Sequence, residues 1–336
     1  MSAGEVLPAR ARELEEMLRR LHAGASAPDD CAAESHVMAA ESGFYEMLVS
    51  QQLGGGGLDL AQFVAVVAQL ARGCPPSALC LASLAIGTAR AAALGVHGEV
   101  RATIAAAGGG SAERVAGGWR ISGSFGSCAG VRAATHLLGA ASSADGAAIE
   151  FLAPLEAITI GGEHRPACGA EVTIEDVAVA DAHAAALEPQ DALAAIASVA
   201  LAAVFAGAAA RIAELHVELV RASPAAAPDP DHQRWMGHAI GRASTAGTLL
   251  GQAAVTFAQP GGELRLGSIA HRTIGFSWSV AQESLRSAPR DDSTLGDELA
   301  RLAGELLALR AGGAASAEDA LSRALAREHL ATAAAV

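Results

Sequence analysis

The chain has 336 residues and a formal net charge of −13; it is 51% hydrophobic but only 3% aromatic, and its 23 basic residues are all arginine. The length supports roughly two or three packed units, and the acidic balance argues against nucleic-acid binding, which needs a basic face to displace counterions. With so few aromatic side chains, the core must be built from Ala, Leu, Val and Ile, and small side chains fill space only where backbones approach closely.

Residues 1 to about 100 carry helical periodicity. The segment "ARELEEMLRRLHA" is amphipathic and lacks the apolar stretch of a secretory leader. "CAAESHVMAAESGFYEMLV" follows and ends at the glycine run Gly54–Gly57. That run lacks the GK[ST] of a phosphate loop and reads as a helix break. "DLAQFVAVVAQLARG" is the next helix, with Asp59 as N-cap. "PPSALCLASLAIGTARAAALG" is another, with Ser77 expected as its cap and Gly95 as its stop.

From about 101 to 182 the period changes to that of strands. "ERVAGGWRISGSF" places a Gly-Gly turn between alternating segments, a hairpin signal. "THLLGAA", "AIEFLAP", "AITIGGE" and "EVTIEDVAVA" are further short strands. A small antiparallel β-domain of about six strands is expected.

From about 190 to 336 helical periodicity returns, with helices expected over Asp191–Arg221, Asp231–Ala258, roughly Ser268–Ser287, Thr294–Ala311 and Ala317–Ala335. The proline-rich "RASPAAAPDPD" separates the first two. "ALAAIASVALAAVFAGAAA" is long and uncharged but mostly alanine, and an amphipathic stretch continues it, so a buried bundle helix is expected and not a membrane span. His232 and His238 are six residues apart on a helix and face opposite ways, which disfavours a metal site. Trp278 reads as core, and Arg272 as a surface or intersubunit ion-pair residue. The five cysteines form no CxxC pair, so reduced thiols in a cytoplasmic protein are expected.

Four motifs in this order carry a family resemblance: "ESGFYEMLVSQQLGGGGLDLAQFVAVVAQLARGCPPSALCLA", "GGSAERVAGGWRISGSFGSCAGVRAATHLLGAA", "VTIEDVAVAD" and "AGGAASAEDALSRALAREHLATAA". Together they resemble the acyl-CoA dehydrogenase superfamily, and more narrowly its two-component flavin monooxygenase branch, typified by the oxygenase component of hydroxyphenylacetate hydroxylase. The resemblance implies an α+β fold with an N-terminal helical domain (1–100), a central small antiparallel β-domain (101–182) and a C-terminal four-helix bundle (190–336). It also implies reduced FAD or FMN between β-domain and bundle, supplied by a separate flavin reductase, and a homotetramer or dimer. The flavin would react with oxygen to oxygenate a small-molecule substrate.

Carried over onto this chain, the resemblance places Trp119, Ser127, Ala129 and Gly130 at the flavin edge, with Arg165 and Gly169 in the following loop. The departures fall at those positions. Ala129 stands where the family has a serine, and the loop "RPACGAE" carries Ala167 and Gly169 where the family has Thr and Ser. No histidine lies near Gly87, where the branch often has one. Glu328 lacks the sequence context of the dehydrogenase base and reads as a helix-surface partner of Arg323 or Arg327.

Two other readings use the same cavity differently. His136, at the start of a strand, and Cys128 are candidate catalytic groups of a flavin-free relative, such as a cyclase or dehydratase. The bland alternatives are a strand histidine bonded to backbone and an inert core thiol. The chain could also be a non-catalytic subunit paired with an intact homologue. Fold alone does not choose among these.

Overall fold

The computed structural model of the chain describes residues 3–22, 33–96, 98, 100–105, 107–161, 169–187, 192–257, 259, 262–289 and 294–310. Helical N-terminal and C-terminal regions flank a mixed sheet.

The N-terminal region comprises α1 (Ala3–His22), α2 (Ala33–Glu41), α3 (Leu60–Gly73) and α4 (Pro75–Ala93). Asp59 caps α3 as expected, and the cap is reciprocal. Gln62 N–H donates to the Asp59 carboxylate at 2.8 Å, and Asp59 N–H donates to the Gln62 side chain at 3.1 Å. The start of α4 differs from expectation. Its N-cap is Cys74 with Pro75 at the first helical position, and Ser77 lies inside the first turn, where its hydroxyl donates to the Cys74 sulfur at 3.2 Å. Proline at that position is preorganised for a helix start and needs no amide there, so the helix begins before the serine. Gly95, at φ 81°, stops α4 as expected.

The sheet contains β1 (Ala102–Ile104), β2 (Ala107–Val115), β3 (Gly118–Ala129), β4 (His136–Ser143), β5 (Ala148–Pro154), β6 (Thr159–Ile160), β7 (Gly169–Ala180) and β8 (Ala184–Ala186). The order is β6-β7-β3-β2-β4-β5-β8, with β1 beside β4. Most pairings are antiparallel, as expected, but β4 runs parallel to both β1 and β2. The β2–β3 hairpin turns through Ala116 and Gly117 (φ 80°). Gly118 already belongs to the strand, where a Cβ would lie 2.1 Å from the Val179 carbonyl oxygen. The sheet curls over a core of its own. Phe125 on β3 and Phe151 on β5 are not on neighbouring strands, yet their rings meet edge to face at 5.6 Å.

The C-terminal region contains α5 (Ala192–Ala222), α6 (Pro230–Phe257), α7 (Gly262–Ser287) and α8 (Thr294–Leu309). α7 starts earlier than expected, while the other three agree with expectation to within two residues. The fifth expected helix, Ala317–Ala335, lies outside the described residues. α5 is long and apolar enough to cross a membrane, but it packs against α3, α6, α7 and α8 with Phe205, Ile212 and Leu215 fully buried. Gly207 lets it approach α3, because a Cβ there would lie 1.9 Å from the Ala68 carbonyl oxygen.

Two buried histidines tie charge to stability. His22 and His216 are 4% and 0% exposed, and each has a buried Nε2 without a partner. Burial pushes both below the ordinary histidine range, helped by Arg301 beside His22 and His232 beside His216. Both are therefore neutral in the fold and protonate more readily in the unfolded chain. Below the unfolded value near 6.5, each subtracts stability, by up to ~1.4 kcal/mol per pH unit. Urea midpoints measured from pH 7.5 to 5.5 should fall toward acid, and His216→Gln should flatten that fall; an unchanged slope in the variant contradicts this assignment. Separately, Gly207→Val should destabilise the fold by ~3 kcal/mol or more through overpacking against backbone. Gly247→Ala, on the exposed side of α6 where a Cβ meets nothing, should stabilise it by ~0.5–1 kcal/mol in the same denaturation assay.

Candidate functional site

The C-terminal end of β3 is where the expected flavin-edge residues collect. Along β3, Ile121 and Phe125 point into the sheet's core. Strict alternation would next send residues 127 and 129 inward. Instead, the β3–β7 register breaks between Phe125 and Cys128, and Cys128 turns inward. On the β7 side, pairing lapses after Phe125 and resumes at Cys128, so Gly126 and Ser127 together oppose the single residue Glu171. This bulge shifts the phase of β3 relative to β7 at one defined point.

Beyond the bulge, the wall is fixed to α4 and β1. Ala129 pairs with Gly169, bringing those two expected site residues together. The Thr103 hydroxyl donates to the Ala129 carbonyl, and the Ser83 hydroxyl lies 3.0 Å from the Thr103 oxygen. Both hydroxyl-bearing residues are buried, and the pair ties α4, β1 and the end of β3 into one unit. Gly130 adopts φ 72°, and a Cβ there would come within 3.1 Å of Leu84 and 3.3 Å of Cys80. Residues 80, 83, 84 and 87 form one stripe of α4. Its last member, Gly87, would place a Cβ 2.2 Å from the Ala102 carbonyl oxygen. The position where the branch often has a histidine is thus filled by the β1 backbone and has no room for a side chain.

Other expected site residues lie elsewhere. Trp119 sits at the opposite end of the 12-residue β3 from Ala129, roughly 30 Å away at ~3.3 Å per residue. There it packs against the sheet core, with the Arg114 guanidinium 4.9 Å from its ring centre. One isoalloxazine ring cannot touch both Trp119 and Ala129. Arg165 falls outside the described residues, as does Glu328.

Cys128 is buried among Phe125, Val131, Leu137 and Phe151, and burial pushes its thiol up to about 12. It packs as a small apolar group. His136 is half-buried at the start of β4. The Thr135 hydroxyl lies 3.2 Å from the Arg101 carbonyl oxygen and 2.9 Å from His136 Nδ1, tying the ring to the strand backbone. Burial chiefly lowers its pKa, His183 adds to that, and Glu156 opposes it. Its strand neighbour Leu137 faces the Cys128 cluster, so His136 faces the other way. The structure therefore does not bring His136 and Cys128 together.

Sequence reasoning missed Thr103 and Ser83, because hydroxyls on a short strand and mid-helix carry no motif. It also missed a cavity of about 440 Å³ over the β2–β4 pairing, lined by Gly109, Gly110, Ala140, Ala141, Ser142 and Ala148. That cavity shares no residue with the wall at Ala129.

The family described as acyl-CoA dehydrogenase, N-terminal domain, matches residues 9–105. The HsaA monooxygenase from M. tuberculosis superimposes with a TM-score of 0.82 at 18% identity, covering 98% of this chain and 98% of that one. The chain has the acyl-CoA dehydrogenase fold. Two other structures share that fold with it. The FAD complex of PigA gives a TM-score of 0.80 at 16% identity, covering 98% of this chain and 97% of that one. XiaF from Streptomyces sp., in complex with FADH2 and glycerol, gives 0.75 at 18% identity, covering 90% and 91%. No curated protein matches the sequence.

Burial makes the thiols of this acyl-CoA dehydrogenase-like chain poor nucleophiles: Cys74 is also pushed up to about 12, and Cys80 is raised as well. Native protein treated with iodoacetamide at pH 7.5 should remain unmodified at Cys74, Cys80 and Cys128, and all three should react after unfolding in guanidinium. Rapid alkylation of Cys128 in the native state, seen by peptide mass spectrometry, would restore it as a catalytic candidate.

Proposed function

We propose that the protein is a flavin-dependent oxidoreductase of the monooxygenase type, using reduced FAD or FMN from a separate reductase. The observation that carries this reading is the bulge on β3. It takes Ser127 out of the β7 ladder and turns Cys128 inward, and the adjoining wall of Ala129, Gly130 and Gly169 offers only small groups to a planar ring. The wall is also rigid, since the Ser83–Thr103–Ala129 hydrogen bonds hold it. The folds of HsaA, PigA and XiaF, described as a monooxygenase, a FAD complex and a FADH2 complex, support the same reading.

The residues fit a flavin held by backbone contact. The backbone at Ser127 would contribute main-chain groups, and Gly169 would give close approach across the strand pair. When bound, a reduced flavin supplies the electrons that let molecular oxygen deliver one oxygen atom to a substrate. The chain's own part is to fix the ring's plane, keep the site small, and exclude side chains that would compete with it. Ala129 withdraws the hydroxyl that the family serine would offer, so binding rests on shape and backbone.

Anaerobic titration with reduced FAD and FMN, followed by absorbance and fluorescence, tests this. Binding of a reduced flavin is expected, and Ala129→Ser should tighten it several-fold by restoring the hydroxyl. Ala129→Leu should weaken it at least tenfold while the circular-dichroism spectrum stays unchanged. Failure of the wild-type protein to bind either flavin, alone or with a reductase present, would overturn the reading.

A further inference from the structure

Beside this wall lies a cluster that a flavin site does not use. Arg101 immediately precedes β1 and is half-buried, with its guanidinium carbon 5.9 Å from the centre of the Tyr45 ring. Its Nε is buried without a partner. Among the described residues no carboxylate pairs with it, whereas the half-buried Arg19, Arg72, Arg90, Arg242 and Arg301 and the buried Arg211 each pair with glutamate. Placing an uncompensated guanidinium part-way into a protein is costly, and a fold that keeps one there has a charge to offer an incoming anion.

The surroundings are ordered around it. The Tyr45 phenol, 1% exposed, donates to the His36 carbonyl oxygen at 3.2 Å, and His36 Nδ1 lies 2.9 Å from the same phenol oxygen. These two contacts fix the phenol end of the ring below Arg101. The Arg101 backbone is fixed as well: its N–H donates to the Thr135 hydroxyl at 2.9 Å, and its carbonyl accepts from the same hydroxyl. Cys80 joins the cluster to the wall. It would lie 3.3 Å from a Cβ on Gly130, and it is close enough to Tyr45 to raise the phenol's pKa, although burial is the larger cause.

We infer that Arg101, stacked on Tyr45, is the anchor of a subsite for the carboxylate of a small planar organic acid, adjoining the wall at Ala129 and Gly130. A guanidinium presents paired N–H groups matched to the two oxygens of a carboxylate, and the aromatic and apolar neighbours suit a planar body behind that group. The subsite names a substrate class for the oxidoreductase proposed above and rests on that reading for its catalytic meaning, but its binding chemistry can be measured alone.

The test uses the full chain and sodium benzoate as probe, with benzamide as the neutral analogue of the same shape. Isothermal titration should show binding of benzoate and at least tenfold weaker binding of benzamide. Arg101→Gln should lose benzoate at least tenfold, and Arg101→Lys, which keeps the charge but not the fork, should fall between them. The lysine variant also guards against a folding defect in the glutamine one. Equal binding of benzoate by wild type and Arg101→Gln, or no benzoate binding by the wild type, overturns the subsite. So does a glutamine variant that loses FMN but keeps benzoate, because that places the guanidinium on the cofactor's phosphate. Benzoate binding that depends on Arg101 in a protein that binds no flavin would uphold the subsite and sink only the oxidoreductase reading.

Discussion

Gly87 of α4 lies against the backbone of β1 so closely that a Cβ would come within 2.2 Å of the Ala102 carbonyl oxygen. The rest of the site depends on this contact. It sets the distance between the N-terminal helices and the sheet, and it brings Ser83 within hydrogen-bonding range of Thr103 and Cys80 against Gly130. A chain that is only 3% aromatic has few large side chains to bridge gaps between layers. It fills its core by letting backbones approach, and Gly207 of α5 against Ala68 of α3 repeats the solution between helices.

On that seam, the bulge in β3 divides structural from available groups. Before it, Ile121 and Phe125 build the sheet's core; after it, the phase inverts and Cys128 takes the inward position. The strand thus buries its thiol and presents Ala129 and Gly130 beside α4. The backbone of Gly126 and Ser127 lies outside the β3–β7 ladder at this break. Arg101 immediately precedes β1, two residues from Thr103, whose hydroxyl holds the Ala129 carbonyl, so the proposed anchor and the proposed flavin wall meet on β1.

The helices were legible because period, caps and breakers agreed: Asp59, Gly95 and the prolines around Pro230 all act as read. The β2–β3 hairpin was legible for the same reason. β1 and β8 were not, since each has only three residues and their partners lie far along the chain, leaving no periodicity to detect. The two parallel pairings of β4 follow from that missing strand and from the return of β2 beside it. At the site, sequence spacing carried no signal of the bulge that turns Cys128 inward. It also grouped Trp119 with Ala129, although an extended strand separates them by nearly its whole length. Arg101 carried no motif. Its meaning comes from lacking a carboxylate partner among the described residues where Arg19, Arg72, Arg90, Arg242 and Arg301 have one, and that is a property of three-dimensional surroundings only.

The account turns on whether the released backbone of β3 meets a flavin. Hydrogen–deuterium exchange, read at peptide level with and without reduced FAD, addresses that contact directly. The peptide spanning Gly126 to Gly130 should exchange more slowly in the presence of flavin, and the distant end of β3 around Trp119 should not change. Flavin binding that leaves the exchange of Gly126 to Gly130 untouched would contradict the account.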